Sequence, residues 1–152
     1  MAESEVEGRD RELHQVAADR LASIDQRYTR GRRELVGALE RATNPLTVEQ
    51  ILLTATSVPQ SSAYRNLVVL EDAAIVHRIV TSDDYARFEL TEDLTEHHHH
   101  IICSECGNVV DFTLPGAVES EVDKALNAAA RKIGFSGDHH RLDLVGTCAD
   151  CL

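Results

Sequence analysis

The sequence predicts an α+β fold in two small parts: a helical N-terminal half closed by a hairpin, and a compact C-terminal α/β half. Three observations predict it. Apolar residues recur at helical spacing through residues 10–39 and again around Ile51 and Leu67. Two short runs with strand character, 75–81 and 85–90, flank Ser82-Asp83-Asp84 as the arms of a hairpin would. Four consecutive histidines, 97–100, lead through Ile101-Ile102 into a Cys-x2-Cys pair, and a second such pair stands at 148–151.

A chain of 152 residues makes one or two small domains. Its formal charge of −11 is unevenly spread. Residues 1–80 carry ten arginines against twelve acids, and residues 81–152 carry five basic against fourteen acidic side chains. Cations are therefore expected in the second half, and a locally basic surface in the first. No apolar run reaches 18 residues and no signal-type start is present, so the expectation is a soluble, cytoplasmic protein with no membrane association. That compartment keeps thiols reduced.

Taken in order, residues 1–8 are acidic and polar and read as disordered. Leu13, Val16, Ala17, Leu21 and Ile24 mark a first helix from about Asp10 to Asp25. Thr29 is an N-cap for a second helix carrying Leu35, Val36 and Leu39. Arg30, Arg32 and Arg33 crowd its first turn, just after Arg27. Cations there oppose the helix dipole, so they point to an external anion, for which DNA phosphate is the natural candidate. Asn44-Pro45 breaks the chain, Thr47 caps a short third helix, and Ser57-Val58-Pro59 breaks it again. A fourth helix buries Ala63, Leu67 and Leu70 and groups Ser61, Ser62, Tyr64, Arg65 and Asn66 near its start. Short helices followed by a polar, Arg-bearing helix start match a helix-turn-helix, and the 75–90 hairpin supplies the wing of a winged helix.

In the second half, the histidine run reads as a strand, whose alternation puts His97 and His99 on one face and His98 and His100 on the other. Two imidazoles about 7 Å apart along a strand can converge on one ion, so this strand can serve two metal sites. A purification-tag remnant would sit at a terminus, not in an apolar-flanked segment. Cys103, Cys106, Cys148 and Cys151 suit a tetrahedral zinc site that staples the domain end to end. Gly107 turns the chain, Val109–Phe112 reads as a strand, and Val118, Val122, Leu126, Ala129 and Ile133 share one face of a helix stopped at Gly134. Leu142, Leu144 and Val145 form a last strand. The predicted architecture is an N-terminal winged helix-turn-helix domain (1–82, its wing running to about 91) plus a small C-terminal α/β dimerisation domain (92–152) stapled by zinc.

With these motifs in place, residues 27–152 resemble the ferric uptake regulator family. Ser62-Ala63-Tyr64-Arg65-Asn66-Leu67 is similar to its Thr-Val-Tyr-Arg-Thr-Leu recognition helix, with Ala63 for the usual Val. Arg27, Thr29 and Arg32 fall on its Arg-x-Thr-x-Gln-Arg, with Gly31 for the Gln. Arg87-Phe88-Glu89-Leu90, the HHHHIICSECG run, Gly134-Phe135 and Gly146-x-Cys-x2-Cys match in order. The resemblance implies structural zinc on the four cysteines. It implies a regulatory ion on His98, His100, Glu89 and, as in zinc-sensing members, His77. It also implies an auxiliary ion on His97, His99, Glu119 and His140. The regulatory ion is expected to be Zn2+ or Fe2+, with Mn2+ or Ni2+ compatible with the same ligands.

Three departures bear on that expectation. The chain reads Asn44-Pro45-Leu46 where iron and peroxide sensors often place a His, it lacks the Cys that zinc sensors often carry after the wing, and it has Glu89 where peroxide sensors have Asp. His139 and Asp93 read as surface residues. The expected function is a homodimeric, metal-dependent repressor of zinc or iron uptake genes, binding an AT-rich inverted repeat of double-stranded DNA. Arg27, Arg32, Ser61, Ser62, Tyr64 and Arg65 are its expected DNA contacts. The alternative is a zinc-stapled protein-interaction or metal-buffering module that does not bind DNA. An enzyme is not expected: neither HExxH nor the deaminase His-x-Glu with Pro-Cys-x2-Cys is present, and four thiolates leave zinc no position for water.

Overall fold

The computed structural model describes residues 2–152, with side chains from Gly8 onward, and divides into two compact units, residues 1–96 and 97–152. Met1 lies outside the described residues. In the first unit, helix α1 spans Ala2–Ser23, α2 Arg30–Glu40, α3 Val48–Thr54 and α4 Gln60–Asp72. The disorder expected over residues 1–8 gives way to helix from Ala2 on. Ala and Glu are strong helix formers, and acids near a helix start favour its dipole, so the segment continues the periodic helix behind it.

The caps follow the predicted chemistry. The Thr29 side chain accepts from the Arg32 amide, and Thr47 and Gln50 form a reciprocal capping box at α3. Thr47→Ala is expected to lower the stability of this unit by about 1 kcal/mol. Chemical denaturation of the two proteins would show it as a lower midpoint at constant slope.

Strands β2 (Val76–Val80) and β3 (Ala86–Leu90) form the predicted hairpin. The turn is braced by Asp83, which takes both terminal nitrogens of Arg87 at 2.8 and 3.0 Å. These bonds, with those from Thr81 and the Tyr85 amide, hold the Asp83 carboxyl far below the usual carboxylate range. A strand absent from the sequence prediction, β1 (Leu46–Thr47), pairs antiparallel with β3 and completes a sheet of order β1-β3-β2. One core holds the unit together. Leu13, Ala17 and Leu21 of α1 pack with Leu35, Val36 and Leu39 of α2, Ile51 of α3, Leu67 and Leu70 of α4, and Phe88 and Leu90 of β3.

The second unit contains β4 (His99–Cys103), β5 (Val109–Phe112), α5 (Gly116–Lys132) and β6 (Asp143–Gly146). Its sheet has order β5-β4-β6, antiparallel between β4 and β5 and parallel between β4 and β6. Gly107 and Gly134 adopt φ of +70° and +81°, the left-handed backbone that a side chain disfavours, at the turn and helix stop where the sequence placed them. The predicted apolar face of α5 exists, but Val118, Leu126 and Ile133 on it are exposed, as are Leu144 and Val145 of β6. Burial in this unit is confined to a few residues around β4, among them Cys103, Val109, His99 and His100.

Candidate functional site

The four cysteines come together at one end of the β4–β6 pair. Their sulfurs lie within 4.8 Å of one another, all as free thiols, with Cys106 Sγ and Cys148 Sγ 3.8 Å apart. Two thiolates bound about 2.3 Å from one tetrahedral zinc would sit about 3.8 Å apart, whereas a disulfide requires about 2.05 Å. The turn at Gly107 and the short 3-10 segment Ala149–Cys151 aim the two pairs at each other. The Cys148 amide points at Cys103 Sγ, 3.3 Å away. The backbone amides of Cys106 and Cys148 draw the Cys103 thiol down to about 6, while hydrogen bonding with the neighbouring Cys148 and Cys106 sulfurs pushes Cys151 up to about 12. Four thiols so close cannot all ionise without a cation between them. The donor set therefore fits a structural zinc ion.

Only His99 and His100 of the predicted histidine strand lie in β4, with His97 and His98 just before it, yet the four divide between two clusters in the alternating order expected. On one face, His97, His99, Glu119 and His140 offer ligand atoms within 4.8 Å of one another. Glu119, in the first turn of α5, collects His97 Nε2 at 3.1 Å, His99 Nε2 at 2.9 Å and His140 Nε2 at 2.8 Å. Hydrogen bonds from His99 and then His97 hold its carboxyl below the usual range. Asp123 fixes the His140 ring through Nδ1 at 2.8 Å. His140 Nε2 is buried beside Glu119 without hydrogen-bond geometry, the arrangement of two ligands converging on a shared ion rather than on each other. Three imidazoles and a carboxylate are a zinc-compatible set.

On the other face, His98 Nε2 and His100 Nε2 stand 3.7 and 3.6 Å from the two carboxylate oxygens of Asp111. Asp143 Oδ1, on β6, holds His100 Nδ1 at 3.3 Å, leaving Nε2 to the Asp111 side. Sequence reasoning missed Asp111. The readable signal was a lone acid in the apolar strand Val109–Phe112, and antiparallel pairing places it opposite His100. The remaining expected regulatory residues, His77 and Glu89, belong to the first unit, where they are direct cross-strand partners on β2 and β3.

The expected DNA contacts divide into two groups. On α4, Ala63, Leu67 and Leu70 face the core, while Ser61, Tyr64 and Arg65 are exposed and Ser62 is half-buried. Arg27 is exposed at the approach to α2. Arg32 differs. Its guanidinium donates to Asn66 Oδ1 at 3.1 Å, the Arg27 carbonyl at 2.6 Å and Gln26 Oε1 at 3.0 Å. Arg32 thus ties the start of α2 to α4, and its donors are engaged inside the unit.

Comparison with known proteins agrees with this architecture. The sequence model of the ferric uptake regulator family matches residues 23–145. The peroxide operon regulator of Bacillus subtilis (strain 168) is 35% identical over 91 residues, 60% of this chain and 57% of that regulator. The peroxide-responsive repressor PerR of Staphylococcus aureus (strain Mu50) is 30% identical over 152 residues, covering 97% of this chain and 96% of the repressor. Among solved structures, the Helicobacter pylori ferric uptake regulator, described as having three functional metal binding sites, superposes with a TM-score of 0.72 at 25% identity, covering 93% of each chain.

Proposed function

The chain belongs to the ferric uptake regulator family, and on that premise we propose that it is a homodimeric, metal-dependent repressor of metal-homeostasis genes for zinc or iron uptake. The carrying observation is the division of the histidine run at the start of β4 into two ligand sets, with His98, His100 and Asp111 in one of them. In this reading Cys103, Cys106, Cys148 and Cys151 hold structural zinc. His98 and His100 bind the regulatory ion, completed by Asp111 of their own unit and by His77 and Glu89 of the first. His97, His99, Glu119 and His140 hold an auxiliary ion. The regulatory ion is Zn2+ or Fe2+, and Mn2+ or Ni2+ fits the same nitrogen and oxygen donors.

An ion that takes ligands from both units restrains the first relative to the second, and so the spacing of two α4 helices on DNA half-sites. It must bind the DNA-competent conformer more tightly, or it shifts nothing. Tyr64 and Arg65, with Ser61 and Ser62, meet the major groove of an AT-rich inverted repeat, and Arg27 meets phosphate. Arg32 acts by positioning α4. The exposed apolar faces of α5 and β6 support a second copy as the cover for this unit. No helix among the described residues is long and apolar enough to cross a membrane, and the cytoplasm is the proposed compartment.

Fluorescence anisotropy on an AT-rich inverted-repeat duplex tests this reading, with Zn2+, or anaerobic Fe2+ or Mn2+, buffered by a mild chelator. Metal-dependent tightening is expected, with one ion acting at the lowest free concentration. No binding to this duplex or to selected random DNA would leave the interaction or metal-buffering module. A peroxide-responsive repressor is the second reading, favoured by the Bacillus and Staphylococcus relatives. It requires that hydrogen peroxide release the Fe2+-loaded protein from DNA and spare the Zn2+-loaded one.

A further inference from the structure

Helices α1 and α2 carry a group of metal-capable side chains that none of the three C-terminal clusters includes. Asp10 and His14 lie on α1 before residue 23, where the family match begins, and Glu40 is the last residue of α2. We propose that Asp10, His14 and Glu40 form a further divalent-cation site that clamps α1 to α2, taking a first-row ion such as Mn2+, Fe2+ or Zn2+.

The geometry is that of a prepared site. Asp10 and His14 are four residues apart, hence on one face of the helix, and the ligand atoms of all three residues lie within 4.8 Å of one another. His14 is 8% exposed. Its Nδ1 is hydrogen-bonded to the Tyr28 hydroxyl, which fixes the ring and presents Nε2 to Asp10 Oδ1, 3.2 Å away. A ligating histidine is commonly held through its other nitrogen in this way. One imidazole and two carboxylates favour a first-row divalent ion over Ca2+ or Mg2+, which prefer oxygen alone. Arg33 and Arg41 are the cations near His14, so the two carboxylates do not leave the locality strongly negative without an ion. Access is from the Asp10 side, which is exposed, while Glu40 lines a neighbouring cleft of about 470 Å3 with Arg9, Glu12, Leu13 and Leu39.

Occupancy would have a local consequence. Tyr28 touches His14 through its hydroxyl and carries the Arg33 guanidinium 5.0 Å above its ring. Fixing His14 fixes Tyr28, and with it an arginine in the first turn of α2. The site stands on its own geometry and is read out without DNA, so its failure is separable from that of the repressor reading.

The test uses the full chain loaded with structural zinc. Paramagnetic Mn2+ is titrated in and NMR line broadening is followed at His14 and Tyr28, with bound Mn2+ per chain counted by equilibrium dialysis. Broadening at both residues is expected, together with its loss and one fewer Mn2+ per chain in Glu40→Gln and separately in Asp10→Asn. Both substitutions conserve shape, and an unchanged thermal transition shows that the fold persists. To remove competing ligands, the same titration is run on a chain with His97, His98, His99 and His100 all changed to Ala. One Mn2+ per chain is expected to remain, weakened about tenfold or more by adding Glu40→Gln. Absence of broadening at His14 and Tyr28 in the parent chain overturns the site, as does Mn2+ binding indifferent to both carboxylate substitutions. The cluster is then a histidine–carboxylate contact only.

Discussion

Replacing Cys103 with Ser, or stripping the ion from the four cysteines with a strong chelator, is expected to unfold residues 97–152 while residues 8–96 stay folded. The asymmetry follows from where each unit keeps its apolar surface. The first unit has a continuous core drawn from all four helices and the hairpin. The second buries little beyond Cys103, Val109, His99 and His100, and its α5 and β6 contain no buried residue. A unit of that size closes on a staple or on a partner, and an ion on four thiolates contributes apparent free energy on the order of 10 kcal/mol to such folds. Ser is a poor thiolate substitute, and at this 3% exposed position its hydroxyl would be left where Cys148 N–H now meets sulfur. Hydrogen-exchange mass spectrometry reads both units at once. Protection should collapse in β4, β5 and β6 and persist in α2 and α4. Retained protection across 97–152 in the stripped protein would mean that the sheet and its partner copy suffice without the ion.

Several elements were legible because a single local rule dictated them. Thr29 and Thr47 each stand where a side-chain oxygen satisfies an amide at a helix start, so the caps could be placed to the residue. The histidine partition needed only the two-residue period of a strand. What escaped depends on contacts between distant residues. Strand β1 is two residues long and exists because β3 offers it an edge, so no periodicity announces it. Asp111 becomes a candidate ligand only through the register that sets it opposite His100. The guanidinium of Arg32 resembles a phosphate contact in sequence, yet Asn66, 34 residues away, claims it. The apolar stripe of α5 was read correctly as a stripe, but periodicity does not say what covers it, and nothing among the described residues buries Val118, Leu126 or Ile133.

The second large effect should separate the two faces of β4. His98→Ala with His100→Ala is expected to abolish the metal-dependent gain in DNA affinity, which for coupled sites is typically about 5–150-fold, while leaving metal-free binding as it was. His97→Ala with His99→Ala, on the opposite face, should keep the switch and weaken the unit instead, because His99 is 1% exposed and anchors Glu119 of α5. The two double variants alter the same four-residue run, each with one residue in β4 and one just before it, by the same side-chain loss. A difference between them therefore reports the face and not general damage to β4. Asp143→Asn gives a graded control. It keeps a hydrogen-bonding group on His100 Nδ1 but removes the charge, so the switch should survive at a higher metal concentration, about tenfold or more. Anisotropy titrations of the four proteins against one buffered ion decide the matter. If the His98/His100 variant still responds to metal and the His97/His99 variant does not, the sensing ion resides on Glu119 and the roles of the two faces are reversed.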